Sequence, residues 1–310
     1  MSDNAMIINF NINKFKVHSI FRDGFIEEFF WSGNIGEIFP KRKFIFFKYV
    51  LQSIWILFAL FNINFNFANA QDSLLNIKAD KIYVDNIGNI FCIQKDVITK
   101  YFVNNQIKTF SIKTFGTLKN IDVSNSLRVL LYFNDFQRIL FLDSQLSQNG
   151  DVIEFINLGY EQTSLVCSSF NNGFWIYHQG NNELIRFNQN LEISVKTGNL
   201  KRLLNMNIQP VYMLEHNGKL YLNSPENGIL VFDIYGAYIK LLPLLNISEF
   251  QIQYPYIFYN QSGKFYSFHI NTFESIEIPT DSENCKQIIF NGKYCYTHCE
   301  NSIKILDCIK

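Results

Sequence analysis

The sequence predicts an all-β fold, a six-bladed β-propeller of four-stranded blades whose ring is closed by an N-terminal strand. Three observations carry that prediction. Short apolar runs alternate with turn residues, a four-run unit recurs with a period near forty, and a spare run at one end matches a gap at the other. The unit is clearest at 211–242, VYMLEHNGKLYLNSPENGILVFDIYGAYIKLL. Asn217-Gly218, the stretch 224–228 and Tyr235-Gly236 separate its runs, and such punctuation between β-branched and aromatic runs marks tight hairpins.

The recurrence is anchored on the third run, which ends in a large apolar residue followed by Asp or Asn. Leu142-Asp143, Phe187-Asn188, Phe232-Asp233 and Leu306-Asp307 fit, while Tyr101-Phe102 and Phe268-His269 occupy equivalent points without the acid or amide. The anchors are 41, 45, 45, 36 and 38 residues apart. Second runs align as NIFCIQ, RVLLYF, GFWIYH, KLYLNS, YIFYNQ and KYCYTH, and first runs as DKIYVD, NIDVSN, TSLVCSS, PVYMLEH, EFQIQY and CKQIIF. Six blades follow, over 79–114, 119–158, 162–197, 209–242, 249–279 and 284–310. A parallel β-helix has shorter coils without regular hairpins, and a β-sandwich does not repeat with one period.

The last blade lacks room for a fourth strand after Asp307. The run SLLNIKA has no blade of its own, so 73–78 is expected to fill the outer strand of blade 6 as a clasp. Elsewhere the rim is expected to carry outer strands such as DVIEFIN (151–157) and FESIEIP (273–279), whose alternating charges suit solvent.

Within 229–242, an apolar run, Asp233, two residues, Gly236 and a second apolar run resemble the repeat of NHL-type six-bladed propellers. Blades 2 and 3 are looser copies without the glycine. The resemblance covers 79–310 as architecture, and the whole is similar to exported bacterial propellers. It implies a fold and supplies no catalytic residue.

The first seventy residues are organised differently. Lys41, Arg42 and Lys43 precede an apolar stretch with an uninterrupted core at 54–61, ending at Ala68-Asn69-Ala70 before Gln71. A basic head, a short apolar run and an A-x-A site make a signal peptide at 41–70. Gln52, Ser53, Asn62, Asn64 and Asn66 interrupt the run, against a transmembrane anchor. Residues 1–40 then read as a misassigned or long N-terminal extension. No Met lies between Met6 and Met206, so a start near Lys41 requires a non-ATG codon. The mature domain is 71–310, exported to the periplasm, the outer-membrane surface or the exterior, with no stable membrane span after cleavage.

Charge excludes some partners. The chain carries 27 basic and 27 acidic side chains. A neutral balance gives no electrostatic case for nucleic acid or anionic lipid. Cys92, Cys167, Cys285, Cys295, Cys299 and Cys308 suit an oxidising compartment, and the four crowded in blade 6 point to a local disulfide. Cys295-x-x-His298-Cys299 is a poor metal set, because on a strand His298 points away from both cysteines. His178, His216, His269 and His298 read as surface or turn histidines. Asn246-Ile-Ser248 matches a glycosylation sequon. No phosphate loop or nucleophile elbow appears.

What remains is positional. The loops leading into the innermost strands rim one mouth of the channel and offer Asp80, Asn120, Glu161, Gln162, Gln209, Glu249 and Asn284. Asp80, Tyr160, Glu161, Gln162 and Glu249 are the expected binding residues. Asp80, Glu161 and Glu249 come from alternate blades and form a candidate Ca²⁺ or acid–base set. Tyr160, Trp175, Tyr235 and Tyr254 form a candidate aromatic recognition surface. Two functions fit. One is a non-catalytic scaffold binding an envelope protein or glycan, as a monomer or a subunit of a larger envelope complex. The other is a metal-dependent propeller hydrolase or lyase with its site at the channel mouth.

Overall fold

The structure is a computed structural model that describes residues 6–12, 15–22, 25–32, 73–279, 285–292 and 294–307. The chain divides into two compact units, Met1–Asn69 and Ala70–Lys310. In the first, strands Met6–Ile12, Phe15–Arg22 and Phe25–Ser32 form a three-stranded antiparallel meander. The sequence reading assigned no element there, although Asp23-Gly24 is a hairpin signal. The signal-peptide stretch 41–70 lies outside the described residues.

The second unit is the expected ring of six four-stranded antiparallel sheets. Their inner strands are Lys81–Val84, Leu118–Asp122, Thr163–Ser168, Tyr212–His216, Phe250–Gln253 and Cys285–Asn291 for blades 1 to 6. Blade 6 takes its outer strand from the other end of the chain. Leu75 pairs with Ile303, Leu74 with Lys304 and Ser73 with Ile305. The clasp is therefore Ser73–Leu75, with Ile77 and Ala79 continuing into the core between blades 6 and 1.

Apolar runs without alternation follow from burial on both faces. In blade 4, Leu220 and Leu222 pack toward blade 3, while Tyr221 faces blade 5 beside Phe250. Each of the six blade junctions has its own buried cluster. The thinnest is between blades 5 and 6, built on Phe265, Ile288 and Cys295. Blade 6 also carries a disulfide, Cys285–Cys299, which joins its inner and second strands.

One hairpin geometry explains the Asp/Asn anchor. Asp233 Oδ1 accepts from the N–H of Tyr235 and of Ala237, both at 2.8 Å. Asp143 does the same for Gln145 and Ser147, and Asn188 for Asn190 and Glu192. The third residue after the anchor is left-handed: Leu146, Leu191 and Gly236 have φ of 60°, 62° and 80°. Blades 2 and 3 thus keep the turn of blade 4 without its glycine. At Gly236 a Cβ would also meet Val195 and Thr197 at 2.9 Å, so that position has two reasons to be glycine.

Some expected elements differ. The outer strand of blade 2 is only Ile153–Glu154, and a 3₁₀ turn, Phe155–Leu158, replaces the rest of DVIEFIN. Phe155 is fully buried against Tyr132 and Phe174, and burying that ring outweighs extending the rim strand. A short helix, Leu200–Leu204, capped by the Asn199 side chain, joins blades 3 and 4. No helix among the described residues is long and apolar enough to cross a membrane.

Inner strands are sheet edges, and long polar side chains satisfy them across blade junctions. Gln251 donates to Ile288 O and accepts from Phe290 N, as a peptide group would. Gln287 accepts from Ile82 N at 2.8 Å, Gln253 donates to Phe290 O, and Asn291 donates to Asp85 O. Asn120 donates to Val166 O, and Asp122 accepts from Ser168 N at 2.7 Å. Glu215 of blade 4 accepts from Trp175 Nε1, Ser169 Oγ and Phe170 N of blade 3. This belt gives the inner edges of blades 1, 3 and 6 partners that a fifth strand would otherwise provide.

His298 is not a surface histidine. Its side chain is fully buried in blade 6, and neither ring nitrogen meets a hydrogen-bond partner of ordinary geometry. Burial lowers its pKa, Lys286 adds to the shift, and the Ala79 backbone and Asp80 oppose it.

Two stability outcomes follow. Deleting 73–79 should cost about 3 kcal/mol of burial and pairing, a Tm loss of about 6–12 °C for a domain of this size; an unchanged melt would refute the clasp. Unfolding returns His298 to a pKa near 6.5, so the unfolded chain binds protons first as pH falls. Stability should hold above about pH 7 and decline below about 6.5. Burial lowers His178 and His216 in the same direction. His298→Leu should therefore flatten the decline without abolishing it, and parallel curves for the two proteins would clear His298.

Candidate functional site

The inner strands of blades 1, 2, 4, 5 and 6 line a cavity of about 730 Å³ in the central channel. Every inner strand runs from the same face of the disc, here termed the inlet face, to the opposite outlet face. Antiparallel pairing puts turns between first and second strands, and between third and fourth, at the outlet. Links between blades lie at the inlet.

Seven polar residues of the wall are committed to the belt. A further polar group lies at the inlet. Lys81 Nζ donates to Glu249 Oε1 at 2.5 Å. The two residues belong to blades 1 and 5, which blade 6 separates, so the pair reaches past a whole blade at the mouth. Both side chains keep access to water, at 32% and 46% exposure. Burial alone would lower the Lys81 ammonium, but Tyr83 and Glu249 outweigh it and hold it above the ordinary lysine range.

Two phenols stand beside the pair. Lys81 Nζ lies 5.1 Å from the centre of the Tyr83 ring. Burial raises Tyr83 despite the pull of Lys81, and Tyr83 also bonds to the Ile121 backbone of blade 2. Burial raises Tyr212 further, with Glu249 and Asp122 adding to the shift. Both phenols stay protonated at neutral pH. The mouth therefore offers one cation, one carboxylate and two aromatic hydroxyls on rigid strands, a set suited to orienting a polar ligand.

The structure brings two of the five expected residues to this channel. Asp80 and Glu249 line it. Asp80 Oδ2 accepts from Lys95 N at 2.9 Å, which ties one oxygen to the neighbouring hairpin. Glu161 and Gln162 are exposed but do not line the cavity. Tyr160 is only 8% exposed and wedged edge-on between His178 and Phe187, at 5.5 and 5.7 Å. The cause is local: Gly159 is left-handed after the 3₁₀ turn, and Tyr160 N closes back on Phe155 O.

Among the described residues, no three His, Cys, Asp or Glu side chains converge as a metal site. Asn120 lines the channel and Gln209 is exposed, whereas Asn284 lies outside the described residues. Of the aromatic set, Trp175 is fully buried on Glu215, while Tyr235 and Tyr254 are 76% and 57% exposed at the outlet face.

Lys81, Tyr83 and Tyr212 escaped the sequence reading, which searched the loops before the inner strands and not the strands themselves. The available signal was their place among the first runs, DKIYVD and PVYMLEH, where polar-tipped residues interrupt otherwise apolar strands.

No protein-family model and no curated protein sequence matches the chain. Solved structures do match in fold. The chain resembles the selenomethionine-substituted virginiamycin B lyase from Staphylococcus aureus at 15% identity, with 74% of this chain and 80% of that one covered and a TM-score of 0.50. A catalytically inactive variant of virginiamycin B lyase from Staphylococcus aureus with quinupristin gives 13% identity, coverage of 99% and 100%, and a TM-score of 0.51. A luciferin-regenerating enzyme gives 8% identity, coverage of 77% and 96%, and a TM-score of 0.51. Likeness at these identities establishes the propeller fold alone.

The mouth pair and the belt should separate in mutagenesis. Glu249→Gln removes a half-exposed ion pair and should change stability by less than about 1 kcal/mol. Glu215→Ala strands three donors and should cost about 3 kcal/mol. Denaturant melts of the two variants decide; equal losses would make Glu249 a structural residue.

Proposed function

We propose that this propeller is a non-catalytic binding scaffold of the cell envelope, taking a protein or glycan ligand at the inlet mouth of its channel. The observation that carries this reading is the Lys81–Glu249 pair, with Tyr83 and Tyr212, set at the opening of a cavity of about 730 Å³. Its polar groups stand apart from the Gln, Asn and carboxylate belt that holds the ring together. Rigid strands carrying exposed polar groups are the arrangement that binding sites use.

Two features support an envelope location. Cys285–Cys299 suits an oxidising compartment. The basic head, apolar core and Ala68-Asn69-Ala70 suit export. The NHL-like hairpin around Asp233 and Gly236 agrees with a rigid disc used for recognition. The hydrolase or lyase reading ranks second, because it needs Asp80, Glu161 and Glu249 together and Glu161 stands off the channel lining.

The full chain should capture its ligand from solubilised envelope material, and Asp80→Asn with Glu249→Gln should weaken that capture at least about tenfold at unchanged melting, which corresponds to ~1.4 kcal/mol. Tyr235→Ser with Tyr254→Ser should leave it intact. Loss in the outlet variant with a silent inlet variant would place the site on the other face. A turnover that vanishes in Glu249→Gln would promote the enzyme reading.

A further inference from the structure

A second concavity of about 440 Å³ opens on the inlet face between blades 1 and 2. It shares Lys81, Tyr83 and Asn120 with the channel, so these residues border both spaces. Lys95, Lys113 and Lys119 complete its basic lining, opposite Asp96 and Asp135. Lys95 sits on a hairpin of blade 1, Lys113 on the link between blades and Lys119 on the inner strand of blade 2. All three are exposed. Among the described residues, none of the three forms an ion pair.

The Thr117 hydroxyl and N–H hold the Asp135 carboxylate below its usual range, so it stays ionised, and the lining holds four lysines to two aspartates. Lys286, on the inner strand of blade 6, extends the basic arc around the channel rim.

The groove is built rather than incidental. Arg138 donates through Nε to Phe115 O and through Nη2 to Thr114 O, fixing the link that carries Lys113. Ile112 N bonds to Asp96 O, and Thr117 N to Asp135 Oδ2 at 2.8 Å. Ligand binding therefore orders little backbone there, and the entropic cost is small.

We infer that this groove binds an acidic saccharide, its carboxylates on Lys95, Lys113 and Lys119, and its chain running beside Tyr83. An acidic peptide is the rival with the same charge. A peptide gains most by adding a strand to a free sheet edge. Here Gln287 already takes Ile82 N on the blade 1 edge that borders the groove. What stays available is separated ammonium groups beside the Tyr83 ring, which match the carboxylates and apolar faces of a uronic acid chain.

The inference deepens the binding reading above and rests on it. The test is calorimetric titration of the full chain with oligogalacturonate, its methyl ester and a pentaglutamate peptide. Oligogalacturonate should bind, and the uncharged ester at least about tenfold more weakly. Raising salt from about 50 to about 300 mM should weaken binding. Lys113→Gln with Lys119→Gln should reduce affinity about tenfold, and Lys201→Gln with Lys264→Gln should not. Equal binding of the ester, or none of the oligogalacturonate, overturns the inference. Equal binding of pentaglutamate with the same lysine dependence also overturns it and assigns the groove to an acidic peptide. If titration fails while envelope capture still depends on Asp80 and Glu249, the inference falls and the binding reading stands. If titration succeeds while capture ignores the mouth, the reverse holds.

Discussion

The inner strand of each blade is an open sheet edge, and its peptide groups must find partners that no fifth strand supplies. Gln251, Gln253, Gln287, Asn291, Asn120, Asp122 and Glu215 answer that constraint by reaching into neighbouring blades. The same bonds fix the spacing of the inner strands, and that spacing sets the channel. A propeller with apolar residues at these positions would leave buried N–H and C=O groups unpaired, each at a cost of about 1–3 kcal/mol. The belt accounts for seven polar residues on the wall, and the mouth pair is not among them.

Closure is the second constraint. Blades are buried on both faces, so a ring with one end open would expose an apolar face as well as an edge. The clasp solves both at once, since Leu75, Ile77 and Ala79 pack between blades 6 and 1 while Ser73–Leu75 completes the sheet. The neighbouring junction, between blades 5 and 6, has the smallest cluster and is the one beside the Cys285–Cys299 disulfide. The disulfide ties two strands within blade 6.

Buried charge is handled sparingly. Lys100 and Asp85 form a fully buried pair at 3.8 Å, and Asp85 also accepts from Ile87, Gly88 and Asn89. Lys100 lies over Phe91 and Phe102 and donates to Ser144 O of blade 2. Burial still lowers it, although Asp85 and Asp143 pull the other way. Lys100 and Asp85 are locked in structure, whereas Lys95, Lys113 and Lys119 face solvent. That difference in environment separates the lysines that hold the fold from those open to a ligand.

The sequence by itself determined the six blades, the period, the four-strand unit and the clasp. Each is written in local patterns: apolar runs, turn residues and an Asp or Asn that caps a hairpin. The clasp was legible as an apolar run, SLLNIKA, with no blade of its own. Direction could not be read the same way. Tyr160 and Glu161 are neighbours in sequence, yet a left-handed Gly159 buries one and leaves the other off the channel. Trp175 could serve a recognition surface or inter-blade packing by sequence, and burial with its N–H on Glu215 of the next blade decides for packing. The pairing of Lys81 with Glu249 spans 168 residues and a whole intervening blade. No local pattern encodes that meeting. It arises only when six inner strands are brought around one axis, because the radius and rotation of the ring decide which side chains share a mouth.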